Sequence, residues 1–362
     1  MRRLLMTVLI SVIVTIIFAG CPDEPTTYDP IPYQWTQVLE SQTFGFRKIW
    51  DLCNNTDNTP LRIASINQNY TNVFFYKPDS NSSGEGETYP YSATGKICDI
   101  SGIDSKNIWC AANRDNGNGN IYFYDGSSSS DCLETFDEKI FGASNMIVHK
   151  LRGVCVFDDR NTFKEVRIFV GDNGYIVHYE EDSGAATGSA VLKNWHDYSI
   201  PSAPNLRSVW GVDIENLWAV GELGEIYKYA GGYNWTQISI GLTFLNLNDI
   251  HGFARGMTVY WYAVGEKGTL LYFDGTTISI VDGLPNTMDD LQAIFIRSAT
   301  AGIAVGQFGY VLELDPNGWS QTQGVTNRDC FGCFISKDLK NKYIATSNDT
   351  TWEGTLIRYY DP

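Results

Sequence analysis

Residues 206–235 read LRSVWGVDIENLWAVGELGEIYKYAGGYNW. Short apolar runs alternate with turn residues throughout this stretch. A first run ends at Asp213, and a second, NLWAVG, ends at Gly221. The turn Gly221-x-x-Gly224 leads to EIYKY, and Gly231-Gly232 leads to a fourth run opening at Trp235. Runs of this length, rich in β-branched and aromatic residues and bounded by Gly, Asn and Asp, read as four antiparallel strands joined by tight turns.

The same unit recurs along the chain, and a period of this kind points to a repeat architecture. Residues 97–112, ICDISGIDSKNIWCAA, align without a gap on 206–221, matching Gly102 to Gly211, Asp104 to Asp213, Asn107 to Asn216 and Trp109 to Trp218. The pairs Gly171/Gly174, Gly265/Gly268 and Gly306/Gly309 repeat the Gly-x-x-Gly turn, each between two strand-like runs. Glycine relieves the cost of positive φ in such a hairpin. A phosphate-cradling loop would need a following helix, and no helical periodicity follows. Third strands are read at 72–76, 120–124, 175–179, 225–229, 269–273, 310–314 and 355–359, spaced at roughly propeller-blade length. The seventh unit runs out at the C-terminus with three strands. YQWTQVLE at 33–40 matches the fourth-strand sequence YNWTQ at 233–237 and has no unit before it. Joining the two ends completes the set.

The expected fold is therefore all-β: a seven-bladed β-propeller of four-stranded antiparallel blades over residues 33–362, its last blade closed by the N-terminal strand 33–40. The phrase at 206–235 resembles the exported propellers of the BNR (Asp-box)-like and photosystem II assembly-factor-like superfamily, within the wider WD40/YVTN-like class. The strict Asp-box is absent, and only Gly232-x-x-Trp235 keeps its end. The resemblance implies a fold superfamily whose members include sialidases, other glycan hydrolases, assembly factors and envelope lipoproteins.

The chain begins MRRLLMTVLISVIVTIIFAGC. Two arginines, an apolar run from Leu4 to Phe18 and the small residues Ala19 and Gly20 make a secretory signal. Phe18 to Cys21 resembles a bacterial lipobox, with Phe18 standing where Leu is usual. That resemblance implies lipid attachment at Cys21 after removal of residues 1–20. Residues 21–32 carry several prolines and cannot bury apolar surface, so they read as a tether. The expected address is the bacterial cell envelope, with the protein lipid-anchored to the outer membrane or cell surface.

A formal charge of −16 disfavours nucleic acid as a partner. Eight cysteines in an exported chain permit disulfides, with Cys21 set aside for lipid. Cys330-x-x-Cys333 falls inside a predicted strand, where residues three apart point to opposite faces, and has neither a second such pair nor nearby histidines. The four histidines are dispersed, and the Asn/Gly-rich stretch 113–120 lacks the frame of a calcium loop. Neither a metal site nor a cofactor is expected.

Arg47, Arg152 and Arg207 occupy the second position of the first strand in three units; the equivalents elsewhere are Cys98, Asn248, Gln292 and Phe331. Turned toward the central mouth, these arginines would form a cationic patch able to hold a carboxylate. The competing reading is that each arginine covers an apolar blade face and pairs with a neighbouring acid. Catalytic residues are not identifiable. Asp104 and Asp213 repeat as turn-shaping acids with Asn107 and Asn216. The expectation is a monomeric, non-enzymatic scaffold for a protein or glycan. The alternative is a glycan-active hydrolase with carboxylates at the channel mouth.

Overall fold

The computed structural model describes residues 35–41, 45–50, 61–66, 71–76, 87–91 and 96–104. From 107 to 360 it describes all but 115, 125–132, 136–146, 148, 163, 181–194, 233, 239–240, 286–288, 349–350 and 352. The predicted export signal, Cys21, the tether, Cys53, Cys132 and residues 77–86 lie outside the described residues.

Among the described residues the strands form seven four-stranded antiparallel sheets, the blades of a β-propeller. Each sheet is a meander in chain order, except one. That sheet takes Asp329–Ile335, Asn341–Asn348 and Glu353–Tyr360 from the C-terminus and Trp35–Ser41 from the N-terminus. We number the blades 1 to 7 by their innermost strands: Gly45–Trp50, Lys96–Asp104, Leu151–Asp158, Leu206–Asp213, Leu247–Arg255, Leu291–Ser298 and Asp329–Ile335. Each innermost strand contacts those of the preceding and following blades, and the strand of blade 7 contacts that of blade 1.

The N-terminal strand pairs along its length with the last strand, from Trp35 opposite Tyr359 to Ser41 opposite Gly354. The Trp35 and Tyr359 rings lie 5.3 Å apart. Val38 and Leu39 pack on the core between blades 7 and 1, and Trp35 on the core between blades 6 and 7.

Apolar clusters fill the spaces between neighbouring blades. The innermost strands reach these clusters through residues three apart: Leu151 and Val154, Leu206 and Val209, Leu247 and Ile250, Leu291 and Ile294. A regular strand would turn such residues to opposite faces. The reason it does not happen here is a register shift in every innermost strand, between Phe46 and Lys48, Ile97 and Asp99, Leu151 and Gly153, Leu206 and Ser208, Leu247 and Asp249, Leu291 and Ala293, and Cys330 and Gly332. Each is a β-bulge: one extra residue is left out of the ladder and its side chain is re-aimed. This corrects the expectation for Cys330 and Cys333. The bulge between them places both thiols, free and buried, in one apolar cluster. Burial pushes Cys330 up to about 12 and Cys333 well above the ordinary thiol range.

The Gly-x-x-Gly turns also differ from a plain two-residue hairpin. Gly171, Gly221, Gly265 and Gly306 are extended, with φ near −160°. Space, not φ, demands glycine there: a Cβ on Gly221 would lie 2.3 Å from the carbonyl oxygen of Asn205. The left-handed positions are the second variable residue and the closing glycine, such as Leu223 at φ 59° and Gly224 at φ 72°. The N–H of that second variable residue donates to a side chain at or just before the start of the next blade's innermost strand. Asn173 donates to Asn205 at 2.9 Å, Leu223 to Asn246 at 3.0 Å, Lys267 to Asp290 at 3.0 Å and Phe308 to Asp329 at 2.9 Å. The turn is thus a latch from one blade to the next.

Candidate functional site

The seven bulged residues are Arg47, Cys98, Arg152, Arg207, Asn248, Gln292 and Phe331. All seven line one open cavity of about 550 Å³. The extra residue of each bulge points to this mouth because its neighbours on either side are committed to the ladder and the core. Lys48, Lys96, Arg114 and Lys150 complete the lining charges, which makes seven cationic side chains and no carboxylate among the described residues. Sequence reasoning missed these four. Lys96 and Lys150 immediately precede bulge-flanking residues. Arg114 sits in the hairpin over 113–119, where blade 2 replaces the Gly-x-x-Gly turn and Asn113 exchanges two 2.8 Å hydrogen bonds with Leu151.

The carboxylates that answer these charges stand behind the lining. Asp172 and Glu222 are the first variable residues of the turns in blades 3 and 4. Asp172 pairs with Nε of Arg152, and Glu222 accepts from Nη2 of Arg207 at 3.0 Å. Arg207 also donates through Nη1 to Asn248 at 2.6 Å, and Asn248 donates to the Leu291 carbonyl at 2.7 Å. Burial works to raise the Glu222 carboxyl, but hydrogen bonds from Arg207 and Asn205 hold it below its usual range. The Arg47 guanidinium lies over the Phe331 ring, 3.9 Å from its centroid. The three arginines line the mouth, and Arg152 and Arg207 each pair with an acid. A guanidinium has five N–H donors, so an acid on one edge does not exhaust it.

Beneath the mouth lies a second cavity of about 240 Å³. Lys48 lines both and separates them. From blade 1 its ammonium reaches across the ring to Asp249 of blade 5, at 3.1 Å. Asp249 also accepts from Ser208 Oγ at 2.7 Å and from the backbone N–H groups of Ile250 and Ile294, both at 3.1 Å. Asp99 accepts from the N–H groups of Ile100 at 3.0 Å and Val154 at 2.9 Å. Burial opposes the Lys48 charge, but Asp249 and then Asp99 hold its pKa above the usual amine range. Burial pushes Asp99 up to about 6 against the pull of Lys48, with Asp249 adding repulsion. Two residues further along the innermost strands stand Trp50, Trp210, His251, Phe295 and Phe334. His251 Nδ1 accepts from the Ile296 N–H at 3.1 Å, and burial lowers its pKa to about 4.

Asp213 is fully buried at the opposite, hairpin end of its strand. It accepts from Asn216 at 2.8 Å and pairs with Arg160 at 2.5 Å. Asn107, its counterpart's partner, instead donates to Glu165 at 2.9 Å. The 113–120 stretch forms a hairpin with Gly117 at φ 86°.

No family profile matches this sequence, and no curated protein matches it. Solved structures do. The crystal structure of RRP9 WD40 repeats superposes with a TM-score of 0.64 at 8% identity, over 93% of this chain and 99% of that one. The structure of U3-55K gives 0.61 at 8% identity, over 90% and 98%. YCF48 bound to D1 peptide gives 0.58 at 14% identity, over 95% and 100%. The likeness is one of fold. It joins this chain to WD40 propellers and to YCF48 alike, and at these identities carries no function across.

Proposed function

We propose that the protein is a non-enzymatic binding scaffold of the bacterial cell envelope: a seven-bladed ring on a lipid tether at Cys21, docking a carboxylate-bearing protein partner at its cationic mouth. One observation carries the reading. Seven cationic side chains line a single concavity of a chain whose formal charge is −16. A field of opposite sign focused in a cleft concentrates anionic ligands. Arginines already oriented by Asp172, Glu222 and Asn248 lose little freedom on binding. YCF48, of similar fold, is known in a complex with a peptide, which makes a peptide segment a reasonable occupant. Asp99 and Asp249 are occupied with Lys48, Ser208 and backbone N–H groups, an architectural use of carboxylates.

The mouth is tested with a fluorescein-labelled hexaglutamate peptide at low salt. Hexaglutamate is expected to bind, hexaglutamine not, and affinity is expected to fall as salt rises. Arg207→Gln is expected to weaken hexaglutamate binding about tenfold, the loss of one charge-assisted hydrogen bond. Equal binding of the two peptides would refute the reading, and turnover in a polysaccharide hydrolysis screen would replace it with the hydrolase. The tether is tested separately: Cys21→Ala is expected to move the protein from the membrane fraction to the soluble one, and full retention excludes lipid at this position.

A further inference from the structure

The mouth is not symmetric. Its cations belong to blades 1 to 4, whereas blades 5 to 7 contribute Asn248, Gln292 and Phe331. On the rim beside that uncharged half stand three exposed apolar side chains, with the exposed Lys267 on the turn between those that carry Leu223 and Phe308. Leu223 is 60% exposed, Phe244 80% and Phe308 69%. Leu223 and Phe308 are the second variable residues of their Gly-x-x-Gly turns, latched to Asn246 and Asp329, each two residues before a mouth-lining residue. The carbonyl of Thr243, next to Phe244, lies against Gly224. All three therefore sit at the mouth end of the ring.

An apolar side chain is unusual on this backbone. Leu223 has φ 59° and Phe308 φ 52°, the left-handed region where a Cβ is strained and where Gly or Asn is at ease. Blades 3 and 5 have Asn173 and Lys267 at the same place, so the turn itself takes polar side chains there. The latch uses only the backbone N–H, so the fold asks nothing of these side chains. Strained, water-facing Leu and Phe oppose both backbone preference and the hydrophobic effect, and exposed apolar groups beside a polar concavity mark contact surfaces.

We propose that Leu223, Phe244 and Phe308 form an apolar shelf that, together with the cationic half of the mouth, docks a peptide segment carrying acidic residues at one end and large apolar residues at the other. The proposal rests on the reading of the mouth as a carboxylate site and adds the partner's pattern. A glycan fits less well: the side chains of Leu223, Phe244 and Phe308 offer no hydrogen-bonding group to sugar hydroxyls. An anionic bilayer fits less well because the cations are recessed in the cavity and the protein as a whole is strongly acidic.

The test uses two labelled twelve-residue peptides. One carries three Glu followed by alternating Leu and Phe; the other keeps the Glu and has Ser in place of Leu and Phe. The intact protein is expected to bind the first at least tenfold more tightly. Leu223→Asn combined with Phe308→Asn is expected to erase that difference, leave binding of the Glu/Ser peptide unchanged and leave thermal stability unchanged or higher. Unchanged preference in the double variant overturns the shelf while the mouth reading stands. So does a melting temperature several degrees lower, which would mean the side chains serve the fold. Loss of both peptides in the intact protein overturns the mouth reading itself. Preferential capture by phosphatidylglycerol vesicles or by tetragalacturonate, either one sensitive to the double variant, would assign the shelf to that surface instead.

Discussion

Deleting residues 33–41 is expected to lower the melting temperature by about 10 °C while the remaining chain stays folded at low temperature. The deletion removes a strand paired along its length with Glu353–Tyr360, the Trp35–Tyr359 contact and the packing of Val38 and Leu39 on the core between blades 7 and 1. Three half-buried apolar side chains contribute about 1–2 kcal/mol each, roughly 3–6 kcal/mol together. In a domain of this size each kcal/mol moves the midpoint by about 2 °C. The deletion also leaves Glu353–Tyr360 as a bare edge with unpaired backbone groups, so aggregation should accompany it. Because the lost strand is contiguous, a synthetic peptide of residues 33–41 is expected to restore part of the midpoint in a concentration-dependent way, as any ligand of the folded state does. Calorimetry with and without the peptide is the check. An unchanged midpoint on deletion would mean that the ring is held shut by blade 7's contacts with blade 1 alone.

That strand was legible because its sequence repeats: Trp35-Thr36-Gln37 copies Trp235-Thr236-Gln237, and both are outer strands of their sheets. Blade number and strand order were legible for the same reason, since a repeat exposes its own period. The bulge was harder to see. Its signal is present as apolar residues three apart, as in Leu206 and Val209, where a plain strand would alternate; without the ladder that spacing looks like irregularity. The bulge nonetheless explains why one position per blade faces the mouth, and so why Arg47, Arg152 and Arg207 converge. Lys96 and Lys150 were invisible because they stand at the edge of the repeating unit, one opening its strand and the other just before it, and Arg114 because its hairpin replaces a turn that other blades share. The Lys48–Asp249 pair was the least accessible. Its members are 201 residues apart and meet only because the ring places blades 1 and 5 across a narrow axis.

The pair yields the second large effect. Lys48→Met is expected to destabilise the protein by about 3 kcal/mol at pH 7.5, measured by urea denaturation. The substitution keeps most of the volume but leaves buried Asp249 and half-buried Asp99 without their shared ammonium, and breaking a buried pair from one side costs about 3–5 kcal/mol. The hydrogen bonds to Asp249 from Ser208, Ile250 and Ile294 remain and keep the loss at the lower end. The effect should depend on pH with a definite sign. In the folded protein Asp99 holds its proton up to about 6, whereas an ordinary aspartate releases it near 3.8. A carboxyl raised in this way adds stability at low pH that is lost as pH climbs through that window. Without Lys48 the attraction that opposes burial is gone, and Asp99 holds its proton to still higher pH. The variant should therefore recover toward the intact protein between pH 7.5 and 5, because protonation removes the charge that the substitution left unanswered. Lys48→Met with Asp249→Leu should regain much of the loss at pH 7.5, since an apolar pair of similar volume replaces an ionic one at little net cost. A deficit that stays constant from pH 7.5 to 5 would mean that Lys48 acts through the packing of its aliphatic stem between the two cavities, and that the charges it touches are already satisfied by backbone and water.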